Sequence, residues 1–90
     1  MTDKKSIFIS GNFNIVHPGH LRLIRFAKEL GDTLTVGVIS DRLAGDAVHV
    51  PQDMRLDGIS SISDVDTVVL VDEPIGRVIR RIRPDFIVKG

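Results

Sequence analysis

Two of the chain's three histidines fall in one stretch, "GNFNIVHPGH", Gly11–His20. His17 and His20 are three positions apart, with Pro18 and Gly19 between them. Proline suits the first turn of a helix, where its missing N–H is no loss. The segment therefore reads as the start of a helix that follows the apolar run "SIFIS". A helix N-terminus presents free N–H groups and a partial positive charge, which together attract anions. Side chains three apart share a helix face, so both histidines can address one ligand. Gly11 and Gly19 let backbone N–H groups come close to an oxyanion. The set suits a polyphosphate better than a neutral ligand. Histidine can donate to a phosphate oxygen and support the charge that grows in a transition state.

Other chemistries fit these residues less well. Zinc bound by two histidines normally needs a third protein ligand. The remaining histidine, His49, lies in a loop, so no protein metal site is expected. The segment supplies neither a Gly-x-Gly-x-x-Gly dinucleotide fingerprint nor a Walker phosphate loop. Read alone, the histidines could also be surface caps.

The elements that would position this segment alternate along the chain. Residues 6–10 read as a short buried strand. From 18 to 31, Leu23, Phe26, Ala27 and Leu30 fall at the spacing of one apolar helix face, with Arg22, Arg25 and Glu29 opposite. Gly31 suits the C-terminal cap. "TLTVGVI", 33–39, is a second strand, and 40–51 reads as a loop. A weaker helix runs from about Gln52 to Ile62, with Leu56, Ile59 and Ile62 inward and Gly58 weakening it. "DTVVLV", 66–71, is a third strand. In 75–83, Ile75, Val78, Ile79 and Ile82 form a helix stripe that Pro84 stops, and "DFIVKG" is a fourth strand. This alternation predicts a Rossmann-like α/β fold, a parallel sheet with helices on both faces and strand order 3-2-1-4. In such sheets ligands bind at the carboxyl ends of the strands, where the strand order reverses. The Gly11–His20 segment leaves the first strand at that end.

Composition sets the outer bounds. Ninety residues make a single domain, 1–90, with a modest core. Twelve basic and twelve acidic residues cancel, which removes any global electrostatic case for nucleic acid or an anionic membrane. There is no cysteine, hence no disulfide framework and no thiolate metal site. No signal peptide or membrane-spanning run is visible in these residues, and the expected location is the cytoplasm.

The stretch "GNFNIVHPGH" resembles the Gly-x-Phe-(Asp)-x-x-His-x-Gly-His signature of the cytidylyltransferase-like nucleotidyltransferases. "AKELGDTLTVGVISD" is similar to that family's helix end, second strand and Ser-Asp corner. "PQDMRL" is similar to its Pro-x-x-x-Arg helix start, and "RPDFIVKG" to its fourth strand. The ending leans toward the sugar-phosphate and glycerol-phosphate branch. The resemblance implies transfer of CMP or AMP from CTP or ATP to a phosphorylated alcohol or sugar, with release of pyrophosphate. It implies that His17 and His20 are catalytic, stabilising the transition state at the triphosphate. Gly11, Asn12, Phe13 and Asn14 would cradle the nucleotide, and Gly19 would leave room for it. Arg55 would lie near the phosphates, with Lys89 and Gly90 beside the first-strand loop. Magnesium would be held mainly by the triphosphate. A homodimer, or membership of a longer chain, is the expected assembly.

Three departures from the family pattern stand out. Asn14 occupies a position where many members carry Asp. The loop after Ser40-Asp41 has no lysine, although Arg42 or His49 lies there. The chain ends at "VKG", whereas typical members continue to a further strand and helix with an Ile-Ser-(Ser/Thr)-Thr-like motif. "ISSIS", 59–63, resembles that motif but precedes the third strand, so it is rejected. The chain is therefore expected to lack its C-terminal strand and helix. A nucleotide-binding module without turnover, or a fragment of a longer, bifunctional enzyme, is the alternative. Arg77, Arg80, Arg81 and Arg83 read as the solvated face of a helix rather than a nucleic-acid surface. Class I tRNA synthetases share a similar signature but need far longer chains.

Overall fold

The computed structural model of the chain describes residues 4–14 and 18–89. His17 and Gly90 lie outside the described residues. Four strands, β1 (Ser6–Gly11), β2 (Thr33–Ile39), β3 (Thr67–Val71) and β4 (Phe86–Lys89), form one sheet in the order β3-β2-β1-β4. Every pairing is parallel: Ile9 lies opposite Val36 on one side and Val88 on the other, and Val36 lies opposite Val68. The expected topology is thus observed, with β1 inside the sheet and the order reversing between β1 and β4.

Strand alternation sends successive side chains to opposite faces. Ile7, Ile9, Leu34, Val36 and Val38 point to one face, where they pack with Ile24 and Ala27 of α1 (Pro18–Glu29) and Ile59 of α3 (Gln52–Ser60). Phe8 and Val71 point to the other face and pack with Val78 of α4 (Ile75–Ile82). This follows from handedness. Two right-handed crossovers stepping the same way across the sheet put α1 and α3 together, and the reverse step to β4 puts α4 opposite. Among the described residues no helix is long and apolar enough to cross a membrane.

Two expectations need correction. The buried stripe of α1 is Ile24 and Ala27 with Leu23 beside them, whereas Phe26 is 54% exposed and Leu30 42% exposed. Apolar residues cover so much of this helix that two stripe phases fit the pattern, and packing on β1 and β2 selects the other one. The 40–51 segment is also not simply a loop. It contains a short helix, α2 (Asp41–Ala44), whose N-cap is Ser40, followed by a 3-10 turn at Gly45–Ala47. Ser40 is the residue type that satisfies a helix's free N–H groups: its Oγ accepts from the Leu43 N–H at 3.2 Å.

The amino ends of the strands are stitched by aspartates that accept otherwise unpaired N–H groups. Asp32 accepts from Lys5 N–H at 2.7 Å, and Asp85 from Ser6 N–H at 2.8 Å. Asp66 accepts from Leu34 N–H at 2.7 Å and pairs with Lys28 at 2.6 Å. The opposite, carboxyl end of the sheet is left for other work.

Candidate functional site

β1 ends at Gly11 and the chain turns sharply at Phe13, whose φ is 52°. A left-handed conformation costs a bulky residue on the order of 1–3 kcal/mol, which burial of the ring offsets. The Phe13 ring is buried in the core beneath α1, edge-on to the His20 imidazole at a centroid distance of 5.5 Å and an interplanar angle of 70°. A Cβ at Gly11 would sit 3.1 Å from the Phe13 ring, a tight contact that the ring would have to relieve by a small shift. The turn thus sets His20 in the first turns of α1, directly off the carboxyl end of β1. Gly19 lies in the same first turn.

The cradle residues play distinct parts. The Asn12 carbonyl accepts from Arg55 Nη1 at 2.7 Å. The Asn14 amide is turned toward the neighbouring loop: Nδ2 donates to the Ala47 carbonyl at 2.7 Å, and Oδ1 accepts from the His49 N–H at 2.8 Å. On the other side, the Lys89 backbone pairs with Ser10 of β1.

Arg55, expected near the phosphates, has its guanidinium engaged by the chain itself. It is 2% exposed. Its guanidinium donates from Nε to Val50 O (2.8 Å), from Nη1 to Asn12 O (2.7 Å) and Ile39 O (2.6 Å), and from Nη2 to Asp41 Oδ1 (2.7 Å). A charge this deep is tolerated only when paired and hydrogen-bonded. The planar fork suits four acceptors converging from three segments. Arg55 therefore ties the carboxyl ends of β1 and β2 to the loop before α3. It braces the backbone at this end of the sheet.

Sequence reasoning also overlooked a polar lattice at the ends of β2 and β3. Asp41 Oδ2 accepts from the Gln52 N–H at 3.2 Å, and Gln52 Oε1 accepts from the Asp41 N–H at 3.0 Å, a reciprocal bracket at the start of α3. Ser40 Oγ donates to Asp72 Oδ1 at 2.7 Å, and Arg42 Nε donates to the same oxygen at 3.0 Å. The Ser40 hydroxyl, with Arg42 adding charge, holds the Asp72 carboxyl below the usual carboxylate range. Asp41, Arg42, Gln52 and Asp72 border a hollow of about 430 Å³. The signal in the sequence was Ser40-Asp41 directly after a strand, a helix cap rather than a loop. Among the described residues, no group of three His, Asp or Glu side chains gathers as a metal site.

Residues 8–90 match the family model described as cytidylyltransferase-like. Among curated relatives, the bifunctional protein HldE of Campylobacter concisus (strain 13826) is 44% identical over 94 residues, covering 97% of this chain and 20% of that protein. HldE of a Nitratiruptor species is 42% identical over 93 residues, with the same coverage of 97% and 20%. The chain thus spans about one fifth of the length of these relatives. A solved structure, the lipopolysaccharide core biosynthesis protein from Thermoplasma volcanium GSS1, superposes with a TM-score of 0.85 at 29% identity, covering 94% of this chain and 73% of that one. Histidine at the start of α1, a central β1 and a reversing strand order agree with that kinship, and the chain belongs to the cytidylyltransferase-like family.

Proposed function

We propose that the chain is the nucleotidyl-transferring domain of an enzyme that activates a phosphorylated sugar. The observation that carries this reading is the placement of His20 in the first turns of α1, at the carboxyl end of the central strand. In the proposed reaction a phosphate oxygen of the acceptor attacks the α-phosphorus of a nucleoside triphosphate. The bond from that phosphorus to the bridging oxygen of the β-phosphate breaks, and pyrophosphate leaves with the bonding pair. No covalent enzyme intermediate is required. The chain's own contribution is positioning and stabilisation of developing charge. The α1 N-terminus attracts the triphosphate, and His20 donates to its oxygens. His17 belongs to the same proposal through the family signature. Phe13 holds the His20 ring in place, and Arg55 holds the backbone of the cradle.

The acceptor class draws on kinship with a lipopolysaccharide core biosynthesis protein and with HldE. CTP and ATP are both carried forward as donors. A magnesium ion would arrive on the triphosphate, because the carboxylates at this end of the sheet are engaged: Asp41 with Arg55, and Asp72 with Ser40 and Arg42. When bound it would neutralise phosphate charge.

The test is a panel of nucleoside triphosphates with phosphorylated sugars and alcohols, scored for pyrophosphate release. One pair should stand out, and His20→Ala should lower its turnover by about 100-fold or more. Nucleotide binding with no pyrophosphate release from any pair would favour a binding module. Equal turnover by wild type and His20→Ala would overturn the site.

A further inference from the structure

The Asn14 amide bridges two backbone groups of one distant loop, Ala47 O and the His49 N–H. A carbonyl only accepts and an N–H only donates, so these partners fix which way the amide points. A carboxylate at this position could satisfy the N–H but not the carbonyl. We propose that Asn14 is a positioning residue that docks the 45–50 loop beside the nucleotide cradle, and that its amide sets how tightly the triphosphate is held. The proposal rests on the transferase reading above.

The loop needs such a clamp. Gly45, Asp46, Ala47 and His49 are all exposed, with Val48 and Val50 half-buried, so apolar burial anchors it little. Its far end is held by Arg55, which donates to Val50 O at 2.8 Å and also to Asn12 O at 2.7 Å. Asn14 directly, and Asn12 through Arg55, thus connect the turn that precedes His20 to one continuous piece of backbone, Ala47–Val50. Loosening the Asn14 end would leave the loop held, among the described residues, chiefly by the Arg55–Val50 hydrogen bond. An aspartate there would keep the bond from the His49 N–H and lose the one to the Ala47 carbonyl. Its anion would face the Ala47 carbonyl and add negative charge beside a polyanionic ligand.

The two substitutions separate these effects. In the full-length protein, KM for the triphosphate and kcat are measured by pyrophosphate release for wild type, Asn14→Ala and Asn14→Asp. Amide hydrogen exchange is followed at 47–49 in the same three proteins. Asn14→Ala should raise the triphosphate KM about tenfold, the scale of two solvent-exposed hydrogen bonds lost together, with kcat nearly unchanged. Asn14→Asp should raise KM further. Exchange of the His49 N–H should quicken in Asn14→Ala and stay near wild type in Asn14→Asp, which keeps the acceptor. An active wild type with unchanged KM in both variants would overturn this proposal alone. A wild type that neither binds nor turns over any triphosphate would overturn the transferase reading. Unchanged exchange in Asn14→Ala would overturn the clamp in either case.

Discussion

Arg55 shows how a single side chain can hold the ends of two strands and a loop together. Its guanidinium meets carbonyls of Asn12, Ile39 and Val50 and the Asp41 carboxylate. Removing it strands three half-buried carbonyls and the Asp41 carboxylate, itself about half exposed. Arg55→Ala should therefore cost roughly 2–4 kcal/mol, read by urea denaturation. Arg55→Lys should recover little, because a point ammonium does not span four acceptors. Acid sensitivity is expected from residues at both ends of the sheet. The Lys28 ammonium, then the Leu34 N–H, hold the Asp66 carboxyl below its ordinary value, and Asp72 is lowered by Ser40 and Arg42. A depressed folded-state pKa adds stability above the ordinary value of about 4 and loses it as pH falls through the lower folded value. The urea midpoint should decline below about pH 4, and Asp66→Asn should make that decline shallower. An identical decline in both proteins would remove Asp66 from the account.

Elements were legible where one property decides them. "SIFIS" and "TLTVGVI" announce buried strands because they are short, apolar and flanked by turn residues. α4 was readable because Val78, Ile79 and Ile82 repeat at helical spacing and Pro84 follows, after Arg83 turns the chain at φ 54°. The phase of α1 was not, because more than one apolar stripe fits its sequence. The role of Arg55 was hidden for a different reason. Its four acceptors come from three stretches, at Asn12, Ile39–Asp41 and Val50, and no local pattern marks a residue whose partners are assembled by the fold. Asn14 was visible as a departure from Asp, but its loop partners were not. Glycines give a test at this scale. A methyl on Gly37 of β2 would lie 2.8 Å from Phe8 Cζ and 2.9 Å from Val71 Cγ2, whereas one on Gly58 of α3 would meet nothing within 4 Å. Gly37→Ala should destabilise by about 1–3 kcal/mol through overpacking. Gly58→Ala should stabilise by about 0.5–1 kcal/mol through helix propensity. Thermal melts of the two variants should move in opposite directions.

At the scale of the whole molecule, β1 has neighbours made at very different times. β2 follows it after one helix, but β4 comes after β3 and α4, and Asp85 just before β4 locks onto Ser6 at the start of β1. Pairings between sequence-distant strands close late, because the intervening chain must first lose its freedom. The candidate ligand position lies where β1 meets β4, so it is complete only after that closure. In refolding from urea, amide hydrogen-exchange protection of β1, β2 and β3 should return before a fluorescent triphosphate analogue binds. Simultaneous recovery would argue for concerted assembly. A chain interrupted during synthesis after Val71 would then own most of its core and yet be blind to nucleotide, so that ligand competence reports completion of the fold.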